Sequence, residues 1–304
     1  MATTSSTKVR FLGGAIARAD LAGAIAYPEG LDGTDTEFTR LYMRHGAQWF
    51  QQEFNSDIAS VCYFPDGEQR GWWLAGKRGD IHSITASGRQ TESIDKAGTG
   101  PDKQGYVKKI RPIGGSLHAC GYRRQVYRRE GKAWQSIADP IAAKRTEVGF
   151  VFNDIDGSSA SDVYAAGNRG EIYHFDGTRW QLLDSGTNVH LEGLSCHGGV
   201  CIAVGRDGVI LRGDRAGFSS IGPGTPELNF WDIAVFRDTF YVAASAGVFE
   251  VGPAPAFDLR PSAFPKHVGY KLASSPERII SVGTHQLLAF DGQSVVELVC
   301  PDNQ

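Results

Sequence analysis

A short apolar segment that closes on a small residue and glycine recurs along the chain, and this periodicity restricts the fold more than any other feature. The copies read WWLAG (72–76), LHACG (117–121), VYAAG (163–167), CIAVG (201–205), YVAAS (241–245) and IISVG (279–283). Their last residues are spaced 45, 46, 38, 40 and 38 apart. That is the length of one four-stranded antiparallel unit in a radial β-array, where each unit covers its neighbour.

A second signature follows each copy at nearly constant distance: an aliphatic residue, often a Tyr, three more residues, Gly, two residues and Trp. It reads VYRREGKAW (126–134) and IYHFDGTRW (172–180), with LLAFDGQSV (287–295) lacking the Trp. LYMRHGAQW (41–49) fits the same frame and supplies a unit upstream of Gly76, which raises the count from six to seven. Within 147–185 the order is strand, turn, DVYAAG strand, Asn-Arg-Gly turn, EIYHF strand, Asp-Gly turn, RWQLL strand. Period-2 alternation bounded by Gly, Asn and Asp is the pattern of antiparallel strands joined by tight turns.

The expected fold is therefore all-β: a seven-bladed β-propeller of four-stranded antiparallel blades, one domain over 1–304, with blades at roughly 8–56, 57–100, 101–146, 147–186, 187–225, 226–265 and 266–300. Only 139–147 suggests a helix. An isolated blade exposes two faces, so the recurring Trp and Tyr are expected to fill the space between blades rather than to contact a ligand. The equivalent glycines are Gly76, Gly121, Gly167, Gly205 and Gly283.

The unit at 162–187, DVYAAGNRGEIYHFDGTRWQLLDSGT, resembles the repeats of the BNR or Asp-box-like and YVTN-type β-propellers, and the likeness extends more loosely over 40–299. The resemblance implies the architecture but not one function, since that group includes glycosidases, lyases, assembly factors and interaction scaffolds. The turn from Asp176 to Trp180 departs from the Asp-box pattern S-x-D-x-G-x-x-W by lacking the Ser and one spacer. It is structural in the family, so it lends no support to catalysis.

With 31 Lys and Arg against 34 Asp and Glu, the net charge of −3 gives no general attraction to nucleic acid or membrane surfaces. Arg18, Asp20 and Glu29 interrupt the apolar stretches near the N-terminus before a signal-peptide core or membrane span can form, so a cytoplasmic location is expected. The five Cys (62, 120, 196, 201 and 300) form neither a C-x-x-C pair nor a zinc spacing, and no metal or cofactor is expected. Cys196 and Cys201 flank a His-Gly-Gly-Val turn and are placed to face each other across a hairpin. In a reducing compartment they are expected to be two buried thiols.

Alignment of FNDID, FWDIA and YKLAS puts Asp154, Asp232 and Lys271 at one equivalent position, with Lys109 as a fourth member. They are expected to line the central channel, where their mixed signs fit a solvated, mutually neutralising set better than the paired carboxylates of a glycosidase. No G-x-S-x-G occurs, and the Gly-rich stretch 98–105 lacks the Lys-Ser/Thr of a phosphate loop. No catalytic residue is assigned.

The most informative polar pattern is positional. Turns between second and third strands share one face of a propeller, and here they carry Lys77, Arg78, Tyr122, Arg123, Arg124, Arg169, Arg206 and His285, with Asp207 the acidic exception. Turns to the fourth strand, on the other face, carry Glu130, Asp176, Asp214 and Asp291. The bias peaks in 100–135, where nine Lys and Arg face Asp102 and Glu130. Lys77, Arg78, Tyr122, Arg123, Arg124, Arg169 and Arg206 are accordingly the expected partner-binding rim, steering a protein with an acidic surface. Should its arginines prove buried, the loops 91–106, 136–147 and 253–267 are the next candidates.

The expected function is a non-catalytic protein-binding propeller, an immunity or adaptor protein that occludes a toxin or enzyme. The alternative is a glycosidase or lyase acting at the channel mouth. Nucleic acid is disfavoured because the aromatics read as blade packing rather than as a stacking platform.

Overall fold

A computed structural model describes residues 8–304 except 33, 95–99, 222–225 and 254–256. It forms seven sheets of four antiparallel strands, each continuous in sequence, with strand spans of 9–54, 58–93, 107–136, 152–183, 191–220, 230–261 and 269–297. We number these blades 1 to 7. The first strand of each blade is innermost and packs against the first strands of both neighbours, and blade 7 meets blade 1. The stretch expected to be helical contains only a 3-10 turn, Asp139–Ile141, because the backbone becomes extended at Ala142 (φ −58°, ψ 128°). A four-residue helix, Pro101–Gln104, precedes blade 3.

The core is divided by the radial geometry. Among the described residues it forms seven apolar clusters, and each joins one pair of adjacent blades. The recurring Trp side chains serve these joints. Trp134 donates its indole N–H to Glu92 of the preceding blade at 3.1 Å, and Trp180 donates to the Ile137 carbonyl at 2.9 Å. Each buries an apolar ring while satisfying its single donor.

The repeated glycine ends the second strand in blades 2, 3, 4, 5 and 7. A Cβ at Gly121, Gly167 or Gly205 would meet the carbonyl oxygen of the residue that leads into its own blade's first strand, at 2.2, 1.7 and 2.1 Å. Glycine recurs because the two backbones touch there.

The ring closes without exchange of a strand between its ends. The Asn303 amide donates to the carbonyls of Val9 (3.0 Å) and His285 (3.1 Å), and its oxygen accepts the Val9 N–H at 2.9 Å. Asp302 accepts from Arg40 and Tyr42 of blade 1, and Phe11 N–H bonds Thr284 O at 2.8 Å. A C-terminal 3-10 turn, Pro301–Asn303, thus staples blade 7 to blade 1.

Candidate functional site

The face bearing the second-to-third strand turns is where each first strand begins, and a bulge near that end sets the channel's geometry. Near its start, one residue of every first strand falls out of register: Leu12, Ala59, Lys108, Asn153, Glu192, Trp231 and Tyr270; the first strands of blades 1 and 4 carry a second irregularity near their other end. A bulge re-aims the side chains that follow it. The following residues include Lys109, Asp154, Asp232 and Lys271, so the sequence alignment of these four reflects a true structural equivalence.

Their environment differs from the solvated channel expected. Asp154 and Asp232 are each only 1% exposed. Asp154 accepts the amides of Ile155 (2.9 Å) and, across the blade boundary, Leu194 (3.0 Å). Asp232 does the same with Ile233 (3.1 Å) and Leu272 (3.0 Å). Lys109 lies 3.5 Å from Asp154 and 3.7 Å from Asp232, while Arg111 contacts Asp154 at 3.2 Å and Asp156 at 2.8 Å. The correction is physical: the carboxylates replace hydration with backbone amides of the next blade, so they tie blades together instead of facing water.

Electrostatics follow from this belt. Burial works against the Asp232 charge, but Lys109, Lys271 and the Leu272 amide hold its pKa below the usual carboxylate value. Burial raises Asp156, partly offset by Arg111. Arg111 itself is raised, since Asp154, Asp156 and Asp232 outweigh its desolvation. The belt separates a cavity of about 270 Å³ towards the opposite face from one of about 130 Å³ at the mouth. A general acid or nucleophile must reach substrate, whereas the oxygens of Asp154 and Asp232 are already committed.

The rim is less positive than its turn tips imply. Lys77 pairs with Asp57 at 3.2 Å, Arg78 with Glu37 at 2.6 Å and Arg206 with Glu192 at 2.9 Å. Arg124 is not a surface charge: it grips Glu171 through two bonds of 2.5 and 2.8 Å, stacks 4.0 Å from the Phe150 ring, and its side chain is 15% exposed. The expectation that Arg124 belongs to the partner-binding rim is therefore corrected: its charge is committed to Glu171. The tips are legible from the repeat, but the carboxylates supplied by neighbouring connections are not.

What remains positive lies over blades 3 and 4. Arg123 donates to the carbonyls of Lys103 (3.0 Å) and Arg145 (3.3 Å), and the Arg169 guanidinium lies 4.9 Å from the centre of the Phe150 ring. Among the described residues Lys103, Arg123, Arg145 and Arg169 have no carboxylate within ion-pair distance. Exposed apolar groups lie beside them: Val148 is 81% exposed, and Tyr106 and Tyr122, in edge contact at 5.8 Å, are 48% and 40%. Of the fallback loops, 136–147 is described throughout and adjoins this patch. Parts of 91–106 and 253–267 lie outside the described residues. Arg145, Val148 and Tyr106 carried no sequence signal beyond their position in blade-to-blade connections.

The Cys196–Cys201 pair also corrects an expectation. The two residues oppose each other in register on the first hairpin of blade 5, with Cα atoms 4.0 Å apart, and their sulfurs are bonded. Close Cα approach in a non-hydrogen-bonded antiparallel pair brings the sulfurs together. Among the described residues, no three His, Cys, Asp or Glu side chains gather as a metal site would need, and no helix is long and apolar enough to cross a membrane.

No family model matches the chain. In sequence it is similar to the immune protein Tsi7 of Pseudomonas aeruginosa, 28% identical over 242 residues that cover 78% of each chain. In structure it is similar to the WD40 propeller domain of Doa1, with a TM-score of 0.69, 12% identity and coverage of 94% and 93%. A YCF48 structure with a bound peptide gives 0.67, 16% identity, and 97% and 93%. A catalytically inactive virginiamycin B lyase from Staphylococcus aureus, solved with quinupristin, gives 0.70, 11%, and 95% and 96%. At such identities these structures speak for the fold alone. The chain is a seven-bladed β-propeller whose likeness in sequence, as distinct from fold, is to an immune protein.

Proposed function

We propose that this chain is an immunity protein that binds and occludes a toxin without catalysing a reaction. The observation that carries the reading is its 28% identity with Tsi7 over 78% of both chains. The partner-facing surface in this reading is the patch over blades 3 and 4, where Lys103, Arg123, Arg145 and Arg169 adjoin Tyr106, Tyr122 and Val148. Unpaired cations beside exposed apolar side chains suit a protein with an acidic, partly apolar surface, rather than nucleic acid or a membrane. Nothing specific favours the alternative of a glycosidase or lyase.

Co-expression with a toxin recovered by pull-down from the native host should rescue growth and yield a stable complex. The double substitution Arg145→Glu/Arg169→Glu, at two exposed positions, should slow association by roughly tenfold at low salt and flatten its salt dependence, because exposed charges act mainly on encounter. Association at the wild-type rate would place the interface elsewhere. A cytoplasmic home, also part of the proposal, requires Cys196 and Cys201 to be reduced in the native host. Differential thiol alkylation checks this, and a fully oxidised pair would assign an oxidising compartment.

A further inference from the structure

We infer that the channel mouth on the glycine-turn face is a receptor for one acidic side chain, an Asp or Glu carried between apolar residues on an exposed loop of the partner protein. This deepens the proposed function and rests on the reading that this face takes the partner. The mouth cavity of about 130 Å³ is lined by Lys108, Lys109, Lys271, Glu192 and Asp232 together with Leu12. One water occupies about 30 Å³ of liquid, so a carboxyl group on one or two methylenes fits.

The charges there do not cancel. Both lining carboxylates already face a cation, Glu192 through Arg206 at 2.9 Å and Asp232 through Lys109 at 3.7 Å. Lys108 and Lys271 have no carboxylate within 4.0 Å among the described residues; Glu192 and Asp232 attract them only from farther off, and their own charges repel each other. The Lys271 ammonium has one assigned acceptor, the Trp231 carbonyl at 3.2 Å, out of the three bonds it can donate. A carboxylate seated between the two ammoniums would relieve that repulsion and accept from both.

The flanks decide what carries the carboxylate. Leu12 and Tyr270 are each 40% exposed at the entrance, and the Tyr270 and Trp231 rings lie 6.3 Å apart. A nucleic-acid phosphate needs further cations along its backbone, but the entrance offers apolar side chains and Glu192. A protein loop with an acid between apolar residues matches both.

The test uses the full chain with 13C,15N-labelled lysine, its ammonium groups unmodified, titrated with acetyl-Leu-Asp-Leu-amide, against the Asn counterpart. Saturable shifts at Lys108 and Lys271, with the Asn peptide at least about tenfold weaker, are expected; a tenfold ratio corresponds to about 1.4 kcal/mol. Equal responses to both peptides, or none at these lysines, would overturn the proposal. In a second arm, Lys108→Met, whose exposed position spares the fold, and Lys108→Met/Lys271→Met should dissociate from the captured toxin at least about tenfold faster. Unchanged dissociation of folded variants overturns the mouth receptor while leaving the immunity reading intact. If the wild type captures no toxin, the immunity reading fails and the peptide titration still decides the mouth.

Discussion

His118 is fully enclosed on the second strand of blade 3, bonded to the Ser116 carbonyl at 3.3 Å and with its Nε2 unpartnered. Burial, aided by Arg128 and opposed by the Ser116 bond, holds its pKa at about 4 against an ordinary 6.5. The unfolded chain therefore takes up a proton near pH 6.5 that the folded chain refuses until about 4. Stability present at neutral pH should be lost as pH falls through that window, by about 3 kcal/mol. Urea denaturation as a function of pH checks this, and His118→Leu should flatten the slope. Arg124 makes a second residue-scale case. Its φ of 60° is left-handed, and Gly79, Gly170 and Gly208 occupy the equivalent place in other blades. Arg124→Ala should cost roughly 3 kcal/mol by stranding Glu171. Arg124→Gly should be more stable than the Ala variant by about 1 kcal/mol because glycine tolerates that conformation. An Ala variant as stable as the Gly variant would show that Arg124 carries no backbone strain.

At the scale of one element, the hairpin closed by Cys196 and Cys201 spans a sequence separation of only 5. A loop that short constrains little of the unfolded chain, so the bond should contribute about 2 kcal/mol at most. Reductant, or Cys196→Ser/Cys201→Ser, should lower the melting temperature of a chain this size by only a few degrees. A larger drop would mean that the hairpin also supports the neighbouring Cys196 N–H to Asp156 bond of 2.9 Å, which joins blades 4 and 5. The two explanations separate on Asp156→Asn, which leaves the disulfide in place.

For the molecule as a whole, closure is the weakest joint in covalent terms, since no strand crosses from blade 7 to blade 1. Asn303 alone supplies three bonds there, to Val9 N–H, Val9 O and His285 O. Asn303→Ala should cost about 1–3 kcal/mol for the buried groups left unsatisfied. Hydrogen exchange should locate the effect, with protection lost first at Val9 and Phe11 and retained in blades 3 to 5. Uniform loss of protection around the ring would instead show that the blades unfold as one unit and that the staple is not a separate element.

The repeat alone determined the seven blades, because spacing and period-2 alternation are local consequences of strand and turn geometry. It also aligned Lys109, Asp154, Asp232 and Lys271, since a bulge recurring at one place in each first strand keeps them in phase. Tertiary structure decided what those residues do. Whether Asp154 meets water or the Leu194 amide depends on the next blade, 40 residues away in sequence. Whether Arg124 is a free charge depends on Glu171, and whether the rim is basic depends on Asp57, Glu37 and Glu192 in flanking segments. Charge pairing is set by distance in space, which a periodic sequence does not encode, whereas strand rhythm is set by neighbours in the chain, which it does.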